Sequence, residues 1–258
     1  MDRREAILRE LNLYPQWVRR ESPVPDEANH VPDAREAKIP VAPNKEEVPA
    51  RTETRDVPVV SPVSSVDELD WPQLRQRVSD CTACKLRAGC TQTVFGVGDE
   101  KADWLFVGEG PGAEEDALGE PFVGQAGKLL DNMLLAIKLK RGDNVYIANI
   151  VKCRPPGNRN PEADEIATCL PYLRRQIELI NPKLIVALGK VASNALLGRD
   201  ATLASLRGKP HDYRIAPAMA TIPLIVTYHP AYLLRSPSEK AKAWQDLCMA
   251  VRIRDGGA

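Results

Sequence analysis

An α/β fold is predicted: three layers, α/β/α, around a central, mostly parallel sheet of four strands. Three observations predict it. Four short apolar runs, Trp104–Val107, Val145–Val151, Leu184–Leu188 and Pro223–Tyr228, are rich in Val, Ile and Leu. Each is followed by a stretch of helical periodicity, and strands alternating with helices build parallel sheets covered on both faces. At 258 residues with 43 % apolar side chains, the chain is long enough to bury such a sheet.

Taken in order, residues 72–79 read as a first helix, and the helices after the four runs span roughly 125–139, 162–180, 190–197 and 238–252. No internal repeat interrupts this pattern. Polar and glycine-rich residues collect where the apolar runs end. The first run leads into Gly108-Glu109-Gly110-Pro111-Gly112. The second contains Asn149 and leads into Cys153-Arg154-Pro155-Pro156-Gly157-Asn158-Arg159. The third ends at Gly189-Lys190 and the fourth at His229-Pro230. Open parallel sheets bind ligands at the carboxyl ends of their strands, so Glu109, Asn149 and His229 are expected near one another.

The first 70 residues differ. They hold nine of the 22 prolines, with 15 acidic and 10 basic side chains, against 20 acidic and 25 basic in residues 71–258. Residues 21–70 read as a disordered, Pro-rich, acidic linker that buries too little apolar surface to offset its ordering entropy. Residues 1–20 offer a short helix with Ile7, Leu8 and Leu11 on one face, followed by Tyr14, Trp17 and Val18. It either docks on its own domain or serves as a tethered partner-binding motif. The folded domain is expected over 71–258, and its mild excess of basic charge suits a polyanion. With no run of 18 apolar residues and no secretory signal at the start, a cytoplasmic protein without membrane association is expected.

In a reducing compartment the six cysteines point to metal binding or free thiols rather than disulfides. Cys81 and Cys84 form a C-x2-C pair after the first helix. Cys153 follows the second strand, and Cys169 lies in the next helix. Four thiolates suit zinc or an iron–sulfur cluster, and the spacing does not choose between them. Cys90, six residues past Cys84, is the rival ligand. Cys248 reads as a small packed hydrophobe.

Several motifs in order resemble the family 4 uracil-DNA glycosylases, the iron–sulfur branch of their superfamily. They are Cys81-Thr82-Ala83-Cys84, Gly108-Glu109-Gly110-Pro111-Gly112, Gly119-Glu120-Pro121-Phe122-Val123-Gly124-Gln125-Ala126-Gly127, Asn149-Ile150-Val151-Lys152-Cys153-Arg154-Pro155-Pro156 and His229-Pro230-Ala231. The resemblance covers about residues 71–253. It implies hydrolysis of uracil from single- or double-stranded DNA by a monomer near the nucleoid, initiating base-excision repair. It also implies a [4Fe-4S] cluster on Cys81, Cys84, Cys153 and Cys169. A related branch that traps DNA covalently carries a basic, His-containing insertion before the last strand. The stretch around His211 is too short for one, so ordinary turnover is expected. The long N-terminal extension departs from the minimal family pattern.

On this reading His229 donates to uracil O2 as charge develops on the leaving base. Asn149 meets the polar edge with acceptor and donors, and Phe122 stacks on the flipped ring. Gly108 and Gly110 bring backbone close to the base, and Glu109 positions or activates water. Arg154, Asn158, Arg159 and Arg235 are candidate DNA contacts, and Leu233 or its neighbour Leu234 a candidate wedge. Two other classes fit part of the pattern: a non-catalytic iron–sulfur DNA sensor and a zinc-stapled nucleotide-binding domain.

Overall fold

The computed structural model describes residues 65–214 and 221–256. The candidate helix at 1–20 and the linker up to residue 64 lie outside the described residues. Described structure begins ahead of the expected boundary at 71. Val66–Glu68 forms a 3-10 turn, Leu69 is buried, and Arg175 Nε donates to the Leu69 carbonyl at 2.7 Å. Asp70 then caps the first helix in a capping box with Gln73.

In chain order the elements are α1 (Trp71–Ser79), β1 (Val97–Gly98), β2 (Trp104–Gly108), α2 (Ala113–Leu118), α3 (Gln125–Ala136), β3 (Val145–Asn149) and α4 (Ala163–Ile180). They continue with β4 (Leu184–Leu188), α5 (Lys190–Leu197), α6 (Leu203–Leu206), β5 (Pro210–Tyr213), β6 (Ile222–Thr227), α7 (Pro230–Arg235) and α8 (Lys240–Arg254). The sheet runs β1-β3-β2-β4-β6-β5. Its four central strands are parallel, as the apolar runs predict.

The sheet has six strands, not four. β1 and β5 pair antiparallel along its two edges. Neither could announce itself by hydrophobicity: β1 is two half-buried residues, and β5 reads Pro-His-Asp-Tyr with one buried side chain. Short or polar strands are how sheets protect their edges. Helices α2, α6 and α7 were also unpredicted, being too short for a periodic signal.

Side-chain alternation divides the core. Leu105, Val107, Ile185, Ala187 and Val226 face one layer, where Leu74 and Val78 of α1 and Leu173 and Ile177 of α4 cover them. Phe106, Ile147, Val186 and Ile225 face the other, covered by Leu130 and Leu134 of α3 and Leu247 of α8. The predicted three layers are present. All five residues of β2, β3 and β4 are buried, as expected of strands packed on both faces. No described helix is long and apolar enough to cross a membrane.

Candidate active site and cysteine centre

A cavity of about 380 Å³ opens at the carboxyl ends of the parallel strands. Glu109, Gly110, Phe122, Asn149 and His229 line it, joined by Asn158, Arg159 and Arg235. Those predicted residues therefore meet at one place. The register of β2 on β3 sets the first contact, pairing Gly108 with Asn149. The pairing continues past the strands: Ile150 N donates to Gly108 O at 3.0 Å and Val151 N to Glu109 O at 3.2 Å. Gly108 lies beneath Asn149 and Phe122. A Cβ there would come within 2.4 Å of Asn149 Oδ1 and 2.5 Å of Phe122 Cζ.

Asn149 is buried, and its Oδ1 has no hydrogen-bond partner among the described residues. A buried acceptor left unpaired costs about 1–3 kcal/mol, which a ligand N–H would recover. Phe122 holds a left-handed backbone, φ 56°, a strain of order 1–3 kcal/mol for a non-glycine residue. Two groups hold it there. Arg141 donates to the carbonyls of Pro121 and Phe122 at 2.8 and 2.7 Å and is itself held by Asp131. Gly127 of α3 lets the Phe122 carbonyl approach so closely that a Cβ would lie 1.7 Å from it.

Glu115 joins the two loops on either side of the cavity. One oxygen accepts from Gly112 N at 3.0 Å; the other accepts from Val123 N and Gly124 N at 3.0 and 3.1 Å. Sequence reasoning missed Glu115 and Arg141, and also Tyr232, which lines the cavity. The signal available for Glu115 was its place three residues after Gly112, at a helix start. Arg141 carried none, because its partners lie in other elements.

His229 caps α7, and its Nδ1 accepts from Ala231 N at 3.2 Å. That bond leaves the proton of the neutral ring on Nε2. Burial, with the nearby Arg235 charge, holds its pKa down at about 4, so the ring is neutral at physiological pH. Its ring centre lies 5.4 Å from that of Phe122. Burial raises the Glu109 carboxyl above its ordinary range.

The candidate DNA contacts divide. Arg235 lines the cavity. Arg154 donates to Asn158 Oδ1 at 2.7 Å. Arg159 grips the Glu165 carboxylate with two bonds of 2.9 and 2.7 Å, a pairing that holds this carboxyl at about 2. Leu233 is 1 % exposed and packs inward, whereas Leu234 is 44 % exposed; of the pair, Leu234 is the one that faces solvent. Of the two leucines offered as a wedge, the helix formed by 230–235 turns Leu233 into the core. His211 lies on edge strand β5 with Nε2 2.7 Å from Leu206 O, and it does not line the cavity.

On the sheet face covered by α4, a second, small cavity is lined by Cys81, Cys84, Cys153 and Cys169 together with Leu86, Arg87, Lys152 and Tyr172. Lys152 N donates to Cys169 Sγ at 3.2 Å, and the Tyr172 hydroxyl to Cys81 Sγ at 3.3 Å. Burial, and then the neighbouring thiols of Cys90, Cys169 and Cys84, push the Cys153 thiol up; burial pushes Cys169 to about 11. Such crowded thiols favour a cationic centre between them. Among the described residues no three His, Cys, Asp or Glu side chains converge closely enough for a single metal ion. Cys90 does not line this cavity. Its thiol is engaged by Arg87, through Nη1 at 3.6 Å and the carbonyl at 3.7 Å.

Fold and cavity thus define an α/β protein with a cavity at the carboxyl edge of a parallel sheet, lined by Glu109, Phe122, Asn149 and His229. Residues 95–248 match the uracil DNA glycosylase superfamily, and the chain belongs to that superfamily. It is 42 % identical to a type-4 uracil-DNA glycosylase of Pyrobaculum aerophilum over 185 residues, 70 % of this chain and 93 % of that one. It is 45 % identical to a type-4 uracil-DNA glycosylase of Thermotoga maritima over 65 % of this chain and 84 % of the relative. For another, from Sulfurisphaera tokodaii, the identity is 43 % over 64 % and 76 %.

Gly127→Ala should displace the Phe122 carbonyl. The expected result is a stability loss of about 1–3 kcal/mol from overpacking and a fall in excision rate larger than that produced by alanine at the exposed position Leu135. Thermal melting and single-turnover assays check both.

Proposed function

We propose that this protein is a uracil-DNA glycosylase that hydrolyses the N-glycosidic bond of a flipped-out uracil and so initiates base-excision repair. The observation that carries the proposal is the meeting of Glu109, Phe122, Asn149 and His229 in one cavity of a chain that shares 42–45 % identity with type-4 enzymes. Breaking the C1′–N1 bond leaves an electron pair on the base, spread over N1 and its carbonyl oxygens. Water adds to C1′ and releases a proton, which balances the proton the uracil anion takes up, giving free uracil and an abasic sugar.

Each residue has a part in this. Phe122, strained into place, stacks on the base, and Gly108 clears the space beneath it. Asn149 offers its unpaired acceptor to N3–H and its amide N–H to O4. His229, neutral and protonated at Nε2, donates to O2 as charge accumulates there; a preoriented donor of this kind stabilises the departing anion. Ionised Glu109 orients the water and favours the cationic character developing at C1′. Gly110 brings the main chain close to the sugar; a Cβ there would meet Val151 at 2.8 Å. Arg235 and Asn158 at the rim are the DNA contacts this geometry favours, with Leu234 as the wedge. Arg159 serves first to neutralise buried Glu165.

The cysteine cavity is proposed to hold a [4Fe-4S] cluster on Cys81, Cys84, Cys153 and Cys169. What supports the cluster is four thiols around one cavity in a chain similar to type-4 enzymes; four thiolates suit zinc as well, and absorbance separates the two. When bound, the cluster supplies a rigid four-point tether; the hydrolysis itself is redox-neutral. The protein is further proposed to act as a cytoplasmic, nucleoid-associated monomer on single- or double-stranded DNA, with residues 1–20 available to a repair or replication partner.

The purified protein should release free uracil from uracil-containing DNA and leave an abasic site. Absence of release from both single- and double-stranded substrates with the cluster loaded overturns the proposal. His229→Ala and Asn149→Ala should each lower the single-turnover rate by about 100- to 1,000-fold while DNA binding persists.

The pH dependence follows from the two shifts. Glu109 works as the carboxylate, so the rate should fall as pH drops through its raised pKa, and Glu109→Gln should remove that limb. His229 binds its proton near pH 6.5 when unfolded and at about 4 when folded. The unfolded state therefore binds more protons between these values, and stability should decline as pH falls from about 6.5 to 4. Denaturant titrations of the wild type and His229→Gln check this, the variant showing a flatter dependence.

For the cluster, a broad absorbance near about 400 nm is expected, bleaching when iron is chelated. A colourless protein binding zinc alone would refute the assignment.

A further inference from the structure

One buried cation lies between the two centres. Lys152 is 1 % exposed, yet among the described residues its ammonium meets no carboxylate. Nζ donates to Asn149 O at 3.0 Å and to Gln176 Oε1 at 2.6 Å. Gln176, fully buried in α4, is fixed in turn through Nε2 to Phe95 O at 3.0 Å and the Tyr146 hydroxyl at 3.4 Å. The main chain of Lys152 is also committed: its N donates to Cys169 Sγ at 3.2 Å, and its carbonyl accepts from Val94 N at 2.7 Å. Lys152 is among the residues that line the cysteine cavity.

A buried ammonium without a negative partner is costly, and neutral amide acceptors offset only part of that cost. The ionisable group facing it is Cys169. Four thiolates on a cluster carry net negative charge, so the cysteine centre, when loaded, provides the counter-charge that the polypeptide around Lys152 omits. The same ammonium pins the backbone carbonyl of the residue that reads uracil. Asn149 is the last residue of β3; the ladder to β2 supports it from one side, and the Lys152 ammonium holds its carbonyl.

We propose that Lys152 is a positioning residue that couples the cysteine centre to the base pocket: the negative cluster holds its ammonium, and the ammonium holds Asn149. This rests on the proposal that a cluster occupies the cysteine cavity. Loss of the charge should weaken both centres together. Loss of the cluster should in turn loosen Asn149 even though no cysteine lines the base pocket.

The test uses full-length protein purified without oxygen, as wild type, Lys152→Met and Lys152→Gln. The methionine variant removes the charge and the donor but keeps most of the volume; the glutamine variant removes the charge and keeps a shorter donor. Iron content and absorbance near about 400 nm establish loading. Two rates are then read: bleaching by an iron chelator, and single-turnover uracil release. Affinity for uracil DNA is measured alongside.

Both variants should bleach about 10- to 100-fold faster than wild type, and excision by Lys152→Met should fall by a factor in the same range, as expected for groups supporting a metal site. Excision by Lys152→Gln should fall less than in the methionine variant. DNA affinity should stay within about twofold, because phosphate contacts dominate it; a general loss of structure would move affinity as well. A folded, loaded variant that keeps both wild-type rates overturns the coupling, and so does one in which a single rate changes. If Lys152→Met does not fold, the glutamine variant is judged by the same two rates. A wild-type protein that contains no iron but releases uracil defeats the cluster proposal, and with it the coupling, while leaving the glycosylase reading intact.

Discussion

The pairing of β2 with β3 is the constraint on which the site depends. Gly108 opposite Asn149 is a register position in a parallel ladder, and a slip of one residue would send each side chain to the opposite face. Because the hydrogen bonds continue to Ile150 and Val151, the loops carrying Glu109 and Asn149 leave the sheet as a bonded pair. Asn149 and Glu109 therefore take their separation from backbone geometry. Long, entropy-rich side chains do not have to find it. His229 arrives from β6, two strands from β2, and its backbone is set by the proline that follows.

This framework is rigid enough to carry local costs. A left-handed phenylalanine and an unpaired buried amide oxygen oppose folding, and a half-buried histidine held neutral does so at acid pH. Each is held by neighbours that do not touch the base: Arg141 and Gly127 for Phe122, the β2–β3 ladder for Asn149, and the Ala231 amide for His229. Glu115 ties the loops together through three backbone donors. Stored strain of this kind is a means of fixing ring and donor positions before the substrate enters.

The central sheet was legible in the sequence because its strands are buried on both faces and therefore read as uninterrupted apolar runs. The edge strands were not, since an edge is kept short or polar. Likewise, Glu109, Asn149 and His229 could be placed together from strand ends alone, a property of the architecture that holds for many ligands. Uracil and iron entered through motif resemblance. The supporting residues were hidden for a different reason. Arg141 acts on Pro121 and Phe122 across about 20 positions, and Gln176 acts on Lys152 across 24; neither has a periodic or local signature. Leu233 shows the converse limit, because a four-turn periodic signal was absent in a six-residue helix and the choice between neighbouring leucines needed the fold.

The stretch from Asn149 to Pro155 explains why a redox-neutral hydrolysis would be accompanied by a cysteine centre. Within seven residues it supplies Asn149 of the first cavity, the Val151 side chain packed against Gly110, the buried ammonium of Lys152, a cysteine of the second cavity and, at Pro155, part of the lining of the first. Beyond it, only the 3-10 turn at Pro156–Asn158 precedes α4. Ile150, Val151 and Lys152 keep backbone partners in Gly108, Glu109 and Val94, whereas Cys153 and the residues after it lie beyond the β2–β3 ladder. Tethering Cys153 to cysteines from the segment after α1 and from α4 would restrict this stretch from one end, while the β2–β3 ladder restricts it from the other. The base pocket then lies on chain fixed at both ends, and the cavity keeps its shape without a larger hydrophobic core beneath it.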